Sequence, residues 1–479
     1  MRFNKVLLVR FPYHTYLGDA SSIPVGLGYV AESLEVNNID YAIFDMGLDY
    51  TEDQLINKIK ELKPDLLGIT MMTMHHLFHY KIITNIKNIF PELKIVVGGP
   101  HASTYRIKML EGCEQIDFGI VLEGEESIVE LCKGVPFINI KGLIFRENNQ
   151  IIYNGDREFI INLDNIPFPK YRKFEINKYL AGTFGIHTTR GCPFECIYCP
   201  VKTAIGKRFR VRSPHNVVSE IEYWHNKGYN NFAMWDDNFT MIQKRVHEIC
   251  DLLEIKNFNN LRISVPNGIR GDKADFNLLS KMKNVGFQMI SFGIESAENK
   301  VLAGLKKGTQ IETMEEAVKN AVKLGYDICL YFIIGSPNET YKDFEKSYAF
   351  AQKYPVIEAR FYNIIPFPNT ELFDWITKNN YFLRQPEEYL NTADHFINEP
   401  CFETPEFTLK ERKKAFKKGW KLTNTLKIKS KARELHRLGP FKYIVSMFLL
   451  SYTYRKLFKN KYFRKHVIYL LRDIFKVDR

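Results

Sequence analysis

No uncharged apolar run in the 479 residues approaches the ~18–20 residues that cross a bilayer, so no transmembrane helix is expected. The opening MRFNKVLLVRFPYH is too charged, and its apolar core too short, for a secretory signal. A cytoplasmic protein is expected on that basis. With 28 Gly and 20 Pro, 45% hydrophobic and 25% charged residues, the composition excludes a collagen-like, low-complexity or wholly disordered chain. No G-x-G-x-x-G follows the first apolar strand, which argues against a dinucleotide cofactor.

Charge of one sign is concentrated. Residues 410–479 hold 22 Lys and Arg against four Asp and Glu, leaving 45 against 51 for the rest. The body is therefore slightly acidic at −6 and the C-terminal region carries +18, so an acidic partner would meet the tail.

Cysteine is sparse and uneven. Cys113, Cys132, Cys250, Cys329 and Cys401 are isolated and read as small buried hydrophobes. Cys192, Cys196 and Cys199 form C-x-x-x-C-x-x-C. Three thiolates on one short loop can take three corners of a cubane iron–sulfur cluster and leave the fourth iron open. A structural zinc site wants four closed ligands, and no second C-x-x-C lies nearby to complete one.

From the first residues, short apolar runs alternate with helical patterns: strands at 5–11, 40–45, 65–70, 94–99 and 116–124, and helices at 23–35, 52–62 and 75–89. Near-continuous apolar strands separated by helices imply a doubly wound parallel sheet, which binds ligands at the carboxyl ends of its strands. Those ends carry Gly68 and Thr70, then Gly98, Gly99, Pro100 and His101, then Glu123, Gly124 and Glu125. A Gly pair there admits close approach of a flat or bulky ligand.

The segments IPVGLGYVAESLE, PDLLGIT, KIVVGGPHAS and VLEGEES resemble the cobalamin-binding domain found upstream of radical S-adenosylmethionine cores. That resemblance covers about residues 1–145 and implies cobalamin contacts at Thr70, Gly98, Gly99, Pro100, Glu123 and Gly124. The D-x-H-x-x-G that brings a histidine to cobalt is missing, since the segment after the first strand reads FPYHTYLG. His14 is accordingly expected at the surface or facing substrate, with no protein histidine beneath the cobalt.

TFGIHTTRGCPFECIYCP, with Tyr198 before the last Cys of the trio, resembles the radical S-adenosylmethionine superfamily. The segments ending at Asp236-Asp237-Asn238, Arg270, Glu295 and Gly335 follow in the order of its partial (β/α)6 barrel. The resemblance implies a four-iron, four-sulfur cluster on Cys192, Cys196 and Cys199. It implies that S-adenosylmethionine chelates the open iron and is cleaved to a 5′-deoxyadenosyl radical. Contacts to that molecule are implied for Tyr198, Asp236, Asp237, Asn238, Glu295, and Ile334 and Gly335 beside the adenine, with Arg270 as a further candidate.

The expected organisation is a Rossmann-like domain over 1–146, a linker over 147–175, a TIM-like partial barrel over 176–375 and a basic helical region over 376–479. The implied activity is methylation of an unactivated carbon, with an electron donor such as ferredoxin or flavodoxin. Relatives of this domain order also carry out cyclisation, ring contraction or carbon–carbon coupling, and that alternative stays open. An RNA-modifying methylthiotransferase would need three cysteines in its N-terminal domain, where only Cys113 and Cys132 occur, so nucleic acid is not expected.

In the tail, the 12-residue uncharged run Tyr443–Tyr454 is too short to span a bilayer. Its basic flanks and the later Tyr462, Phe463, Ile468, Leu470 and Leu471 suit an interfacial helix. An anionic membrane surface, or a lipid-like substrate, is the corresponding expectation.

Overall fold

KVLLVR folds as strand β1 (Lys5–Arg10), and DYAIFD as β2 (Asp40–Asp45). LLGIT forms β3 (Leu66–Thr70), KIVVG β4 (Lys94–Gly98) and FGI the short β5 (Phe118–Ile120). The antiparallel β6 (Leu143–Glu147) and β7 (Gln150–Tyr153) extend the sheet, whose order is β2-β1-β3-β4-β5-β6-β7. Strands β1 to β5 pair in parallel, as their continuous apolar character requires. Leu7, Val9, Leu67, Ile69, Ile95 and Val97 pack with Ile82, Ile83 and Ile86 of the helix His76–Ile89 in one core. Burial of each such side chain contributes roughly 1.5–3 kcal/mol.

The computed structural model describes residues 2–12, 22–179, 182–392 and 399–451. His14 and the residues of the tail beyond Ser451, including Tyr462, Phe463, Ile468, Leu470 and Leu471, lie outside them. The chain forms two units: Met1–Ile263 with Ile365–Phe402, and Ser264–Ile364 with Glu403–Arg479.

The sheet order places a topological switch point between β1 and β3, where the chain leaves the sheet centre in opposite directions. Ligands of doubly wound folds lie outside the carboxyl ends at such a point, here beside Thr70 and Gly98. Strand β5 is shorter than the expected 116–124 because Leu122 turns into the left-handed region at φ 62°. The segment 147–175, expected as a linker, begins with most of the β6–β7 hairpin.

A second strand–helix series follows. In the first unit, β8 (Phe184–Ile186) pairs in parallel with β11 (Asn231–Met234), and the two-residue strands β9 (Thr189–Arg190) and β10 (Arg210–Val211) clip the loop between them. The chain passes to the second unit along β12 (Arg262–Ile269). There β13 (Phe287–Glu295), β14 (Asp327–Ile334) and β15 (Glu358–Asn363) pair in parallel, with intervening helices. The sheet order β15-β14-β13-β12-β11-β8 follows the chain, with helices between successive strands, as in the TIM-like partial barrel expected from the sequence.

Caps set the helix starts. Thr340 and Asp343 form a capping box on Tyr341–Lys353, and Thr408 and Glu411 form another on the 26-residue basic helix Leu409–Glu434. That long helix covers β15: the Thr423 hydroxyl donates to the Ala359 carbonyl, and Gly419 lies against the Phe361 ring. An open sheet edge is thereby protected. No helix among the described residues is long and apolar enough to cross a membrane.

Candidate active site

In the first unit, β8 delivers the chain to Thr188, Thr189 and Arg190, and then to the cysteine loop. Cys192, Cys196 and Cys199 are all half-exposed. The amide of Cys199 donates to the Cys196 carbonyl at 3.3 Å, and that of Cys192 to Gly206 at 3.4 Å. Burial, together with the neighbouring cysteines, pushes the Cys199 thiol up to about 12. Among the described residues no three His, Cys, Asp or Glu converge as ligands of a single ion. A cubane asks for something different, because each thiolate binds its own iron. Three reachable thiols on one loop fit that group.

Asp236, fully buried, shapes this loop. Its carboxylate accepts from the Thr188 amide at 2.7 Å and hydroxyl at 2.8 Å, and from the Thr189 amide at 2.5 Å and hydroxyl at 2.9 Å. Four donors on two oxygens make Asp236 an anchor for the strand that feeds Cys192. Asp237 opens to solvent within a recess, where surrounding protein, and then the Asp236 charge, push its carboxyl up to about 6. Asn238 is buried, with no hydrogen-bond partner for its Oδ1 among the described residues. Of the triplet, Asp237 and Asn238 thus keep capacity toward a ligand. Tyr198 is half-buried on the loop.

The strand-end residues of the N-terminal sheet divide in the same way. Thr70, Gly98, Gly99 and Pro100 are half-buried and adjacent. Gly99 has φ +93°, and an added Cβ would come within 3.0 Å of the Met71 carbonyl oxygen and 3.1 Å of the Thr70 hydroxyl. Its glycine is a requirement of the backbone itself. Gly98 differs: a Cβ there would find nothing nearer than the Ile120 carbonyl oxygen at 3.9 Å, which leaves a cradle open to a bulky group. Behind the rim, buried His101 takes a 2.6 Å hydrogen bond with the Tyr80 hydroxyl and stacks on His76. Burial keeps that imidazole neutral.

Glu123 is tied elsewhere. Its Oε1 accepts from Arg190 at 2.9 Å and Arg210 at 2.7 Å, while Glu125 takes the other Arg190 nitrogen at 2.5 Å. Arg190 also lies over the Tyr29 ring. The residues after β5 are therefore bound to the residue two places before Cys192. Within the same unit, the helix Pro100–Tyr105 packs on Val201–Ala204, immediately after the cysteine loop. The Gly98–Pro100 rim and the cysteine loop adjoin through these contacts. Gly124, at the N-cap of Glu125–Lys133, is half-buried.

In the second unit, Glu295 ends β13 in the left-handed region at φ 62°, a strained place for a non-glycine residue. Lys307 holds its carboxylate at 2.7 Å. Arg270 is buried and its guanidinium is engaged, donating to Asp272 at 2.9 Å, to the Lys307 carbonyl and to the Gly308 carbonyl at 2.8 Å. It fixes the Lys307 loop and so acts on Glu295 at one remove. Ile334 is buried; Gly335, at φ +93°, donates its amide to Glu339 Oε2 at 2.7 Å, and Ser336 does so at 2.9 Å. The Arg412 guanidinium occupies the space a Gly335 side chain would need.

Glu339 carries a pH signature. Complete burial pushes its carboxyl up to about 7 from 4.5, against the lowering effect of the two amides and of Arg412. The folded chain then holds a proton between those values that the unfolded chain has released. Stability from this group should be full below pH 4.5 and decline as pH rises to about 7, by on the order of 3 kcal/mol. Glu339→Gln keeps an acceptor for both amides and should remove the decline. Urea unfolding of both proteins at pH 5 and pH 8 measures it: a difference between them that is the same at both pH values would contradict the assignment.

Arg190, Thr188, Thr189, Lys307, Glu339 and Arg412 were not among the sequence candidates. Most of their partners are distant in the chain, and the one local signal was the position of Arg190 directly before Gly191-Cys192.

The profile of the Radical SAM superfamily matches residues 186–351, and that of the B12 binding domain matches residues 19–132. An uncharacterized methyltransferase of Pyrococcus horikoshii is 31% identical over 88% of this chain and 92% of its own length. The anaerobic magnesium-protoporphyrin IX monomethyl ester cyclase of Cereibacter sphaeroides is 27% identical over 77% of this chain and 63% of its own. Among solved structures, the cobalamin-dependent S-adenosylmethionine radical enzyme OxsB aligns with TM-score 0.74 at 15% identity, over 99% of this chain and 75% of that one. The radical S-adenosylmethionine methyltransferase TsrM of Kitasatospora setae aligns with TM-score 0.68 at 20% identity, over 80% and 77%. The chain belongs to the B12-binding radical SAM family, as an enzyme of a four-iron, four-sulfur cluster, S-adenosylmethionine and cobalamin.

Proposed function

We propose that this enzyme methylates an unactivated carbon of a small molecule. When bound, the cluster with S-adenosylmethionine would supply a carbon-centred oxidant, and cobalamin the methyl group. The observation that carries the reading is the adjoining of the Gly98–Pro100 rim and the cysteine loop within one unit, through Pro100–Tyr105 on Val201–Ala204. The chain's part is to hold these groups at one mouth. Asp236 sets the loop through Thr188 and Thr189, Arg190 ties it to Glu123 and Glu125, and Gly98 leaves the cradle.

Incubation of the reduced protein with S-adenosylmethionine deuterated in its methyl group, and a small-molecule extract, tests the reading. Methylation predicts deuterium in a product alongside 5′-deoxyadenosine. Deoxyadenosine with no transferred label would favour cyclisation or coupling, which the similarity to the monomethyl ester cyclase also supports. Ferredoxin or flavodoxin would serve as the reductant.

The basic end supports docking at an anionic lipid surface. The helix Lys442–Leu449 leaves Phe441 before it, and Tyr443, Ile444, Met447 and Phe448 within it, exposed, next to Leu409–Glu434 with its many lysines. Attraction of about 1 kcal/mol per Lys or Arg near the surface adds to apolar insertion. Full-length protein should sediment with anionic vesicles at low salt and partly so at high salt, whereas a chain ending near Glu406 should not. Tighter binding to RNA than to vesicles would overturn this reading.

A further inference from the structure

The three strands β13, β14 and β15 present two unlike faces. On one, Leu330, Phe332, Ile334 and Phe361 are buried, and the Phe332 and Phe361 rings stack at 4.7 Å and reach Phe344 and Phe350 of the helix Tyr341–Lys353. That is the outer, helix-covered face. The alternate residues Tyr331, Ile333, Arg360 and Tyr362 point the other way and are half-exposed. A barrel interior filled by side chains would bury them; here Ser291, Cys329 and Glu358 fill one layer of that concave face, and the layers nearer the carboxyl ends stay half-exposed.

Its charge is specific. Arg360 donates from Nη2 to Glu358 Oε2 at 2.8 Å, and its Nε lies 2.8 Å from Oε1 as an ion pair without hydrogen-bond alignment, so one side of the guanidinium faces the carboxylate. Lys427, from the long basic helix, reaches the same carboxylate at 2.5 Å. Two cations share one anion, and one positive charge is left over. The Nη1 end of Arg360 makes only a 3.4 Å contact with the Tyr362 hydroxyl among the described residues, and the guanidinium lies over the Tyr331 ring at 5.6 Å. Tyr331 is held in turn by the Pro266 carbonyl at 2.7 Å and the Ser291 hydroxyl at 3.1 Å. The pairing register puts Gly293, Tyr331 and Arg360 in one layer, where the space beside Gly293 is taken by the Glu295–Lys307 ion pair. Three residues further along β15, roughly 10 Å of strand, the carboxyl-end rim is reached at Asn363.

We propose that this concave face is the substrate cradle, with Arg360 recognising a carboxylate or phosphate on a ring-bearing substrate whose ring packs on Tyr331 and Tyr362. The proposal rests on the methyl-transfer reading and names the substrate class for it. A guanidinium held on one side by a carboxylate offers its other side as a preorganised fork, and a planar oxyanion matches that fork as a lysine cannot. The tyrosines supply flat apolar walls with polar tips, the usual lining of a small-molecule site.

Calorimetric titration of the full-length, cofactor-loaded protein with phenylphosphate, phenylacetate and the neutral phenylacetamide tests it. At least one of the two anions should bind, with phenylacetamide at least tenfold weaker, and the better anion names the headgroup. Arg360→Met should lose at least tenfold for that anion and nothing for the amide; Arg360→Lys should fall between. Lys427 still pairs Glu358 in both variants, and unchanged iron content and thermal midpoint show that each is folded. Equal anion affinity in Arg360→Met, or no preference of the parent for an anion over the amide, overturns the proposal. Failure of the methyl-transfer reading would appear separately, as missing cobalt or an absent methyl product with the titration unaffected.

Discussion

Ala in place of Cys192, Cys196 or Cys199 is expected to reduce 5′-deoxyadenosine formation to background. The expectation follows from ligand count. Three thiolates leave one open iron for S-adenosylmethionine, and with two the cubane is no longer held on the loop. The folded state should survive each change, because the three side chains are half-exposed and the loop is fixed from Asp236 through Thr188 and Thr189. Deoxyadenosine is read by chromatography after chemical reduction, alongside the iron content and far-ultraviolet dichroism of each variant. A triple variant that still produces deoxyadenosine would remove the cluster from this loop.

The second large effect concerns cobalt. Gly99 is the obvious position for a blocking side chain, yet any residue there meets the Met71 carbonyl and a left-handed φ, so loss of cofactor would be confounded with loss of fold. Gly98→Leu avoids both. Its Cβ has 3.9 Å of clearance, and its further carbons would enter the space outside the carboxyl ends of β3 and β4. Retained cobalt should fall at least tenfold, while the thermal midpoint of the cofactor-free chain moves by no more than about 4 °C, the scale of a 1 kcal/mol change. Parent-like cobalt content in Gly98→Leu would place the cofactor elsewhere.

Much of this arrangement was legible in order along the chain. The runs KVLLVR, DYAIFD, LLGIT and KIVVG are apolar enough to be strands and are interrupted by helical periodicity, and they form β1 to β4 close to the expected limits. The cysteine spacing is local, so the loop could be read without tertiary information. What escaped was whatever depends on residues far apart in sequence. The resemblance implied Asp236 as a contact to S-adenosylmethionine; its four hydrogen bonds to Thr188 and Thr189 arise only when β8 and β11 pair. Glu123 stood in a promising loop, but Arg190 and Arg210, more than sixty positions on, claim its carboxylate. Arg270 likewise turned inward to the Lys307–Gly308 carbonyls. The short helix Pro100–Tyr105 gave little periodic signal in six residues, and it is the element that brings the two rims together.

The most direct test of the central claim is anaerobic purification of the full-length chain from cells supplied with iron and cobalamin, followed by metal analysis and an absorption spectrum. The account predicts about four iron atoms per chain together with about one cobalt, and both iron–sulfur and corrinoid absorption. Cobalt at background in protein that carries its full iron would contradict a cobalamin-dependent enzyme.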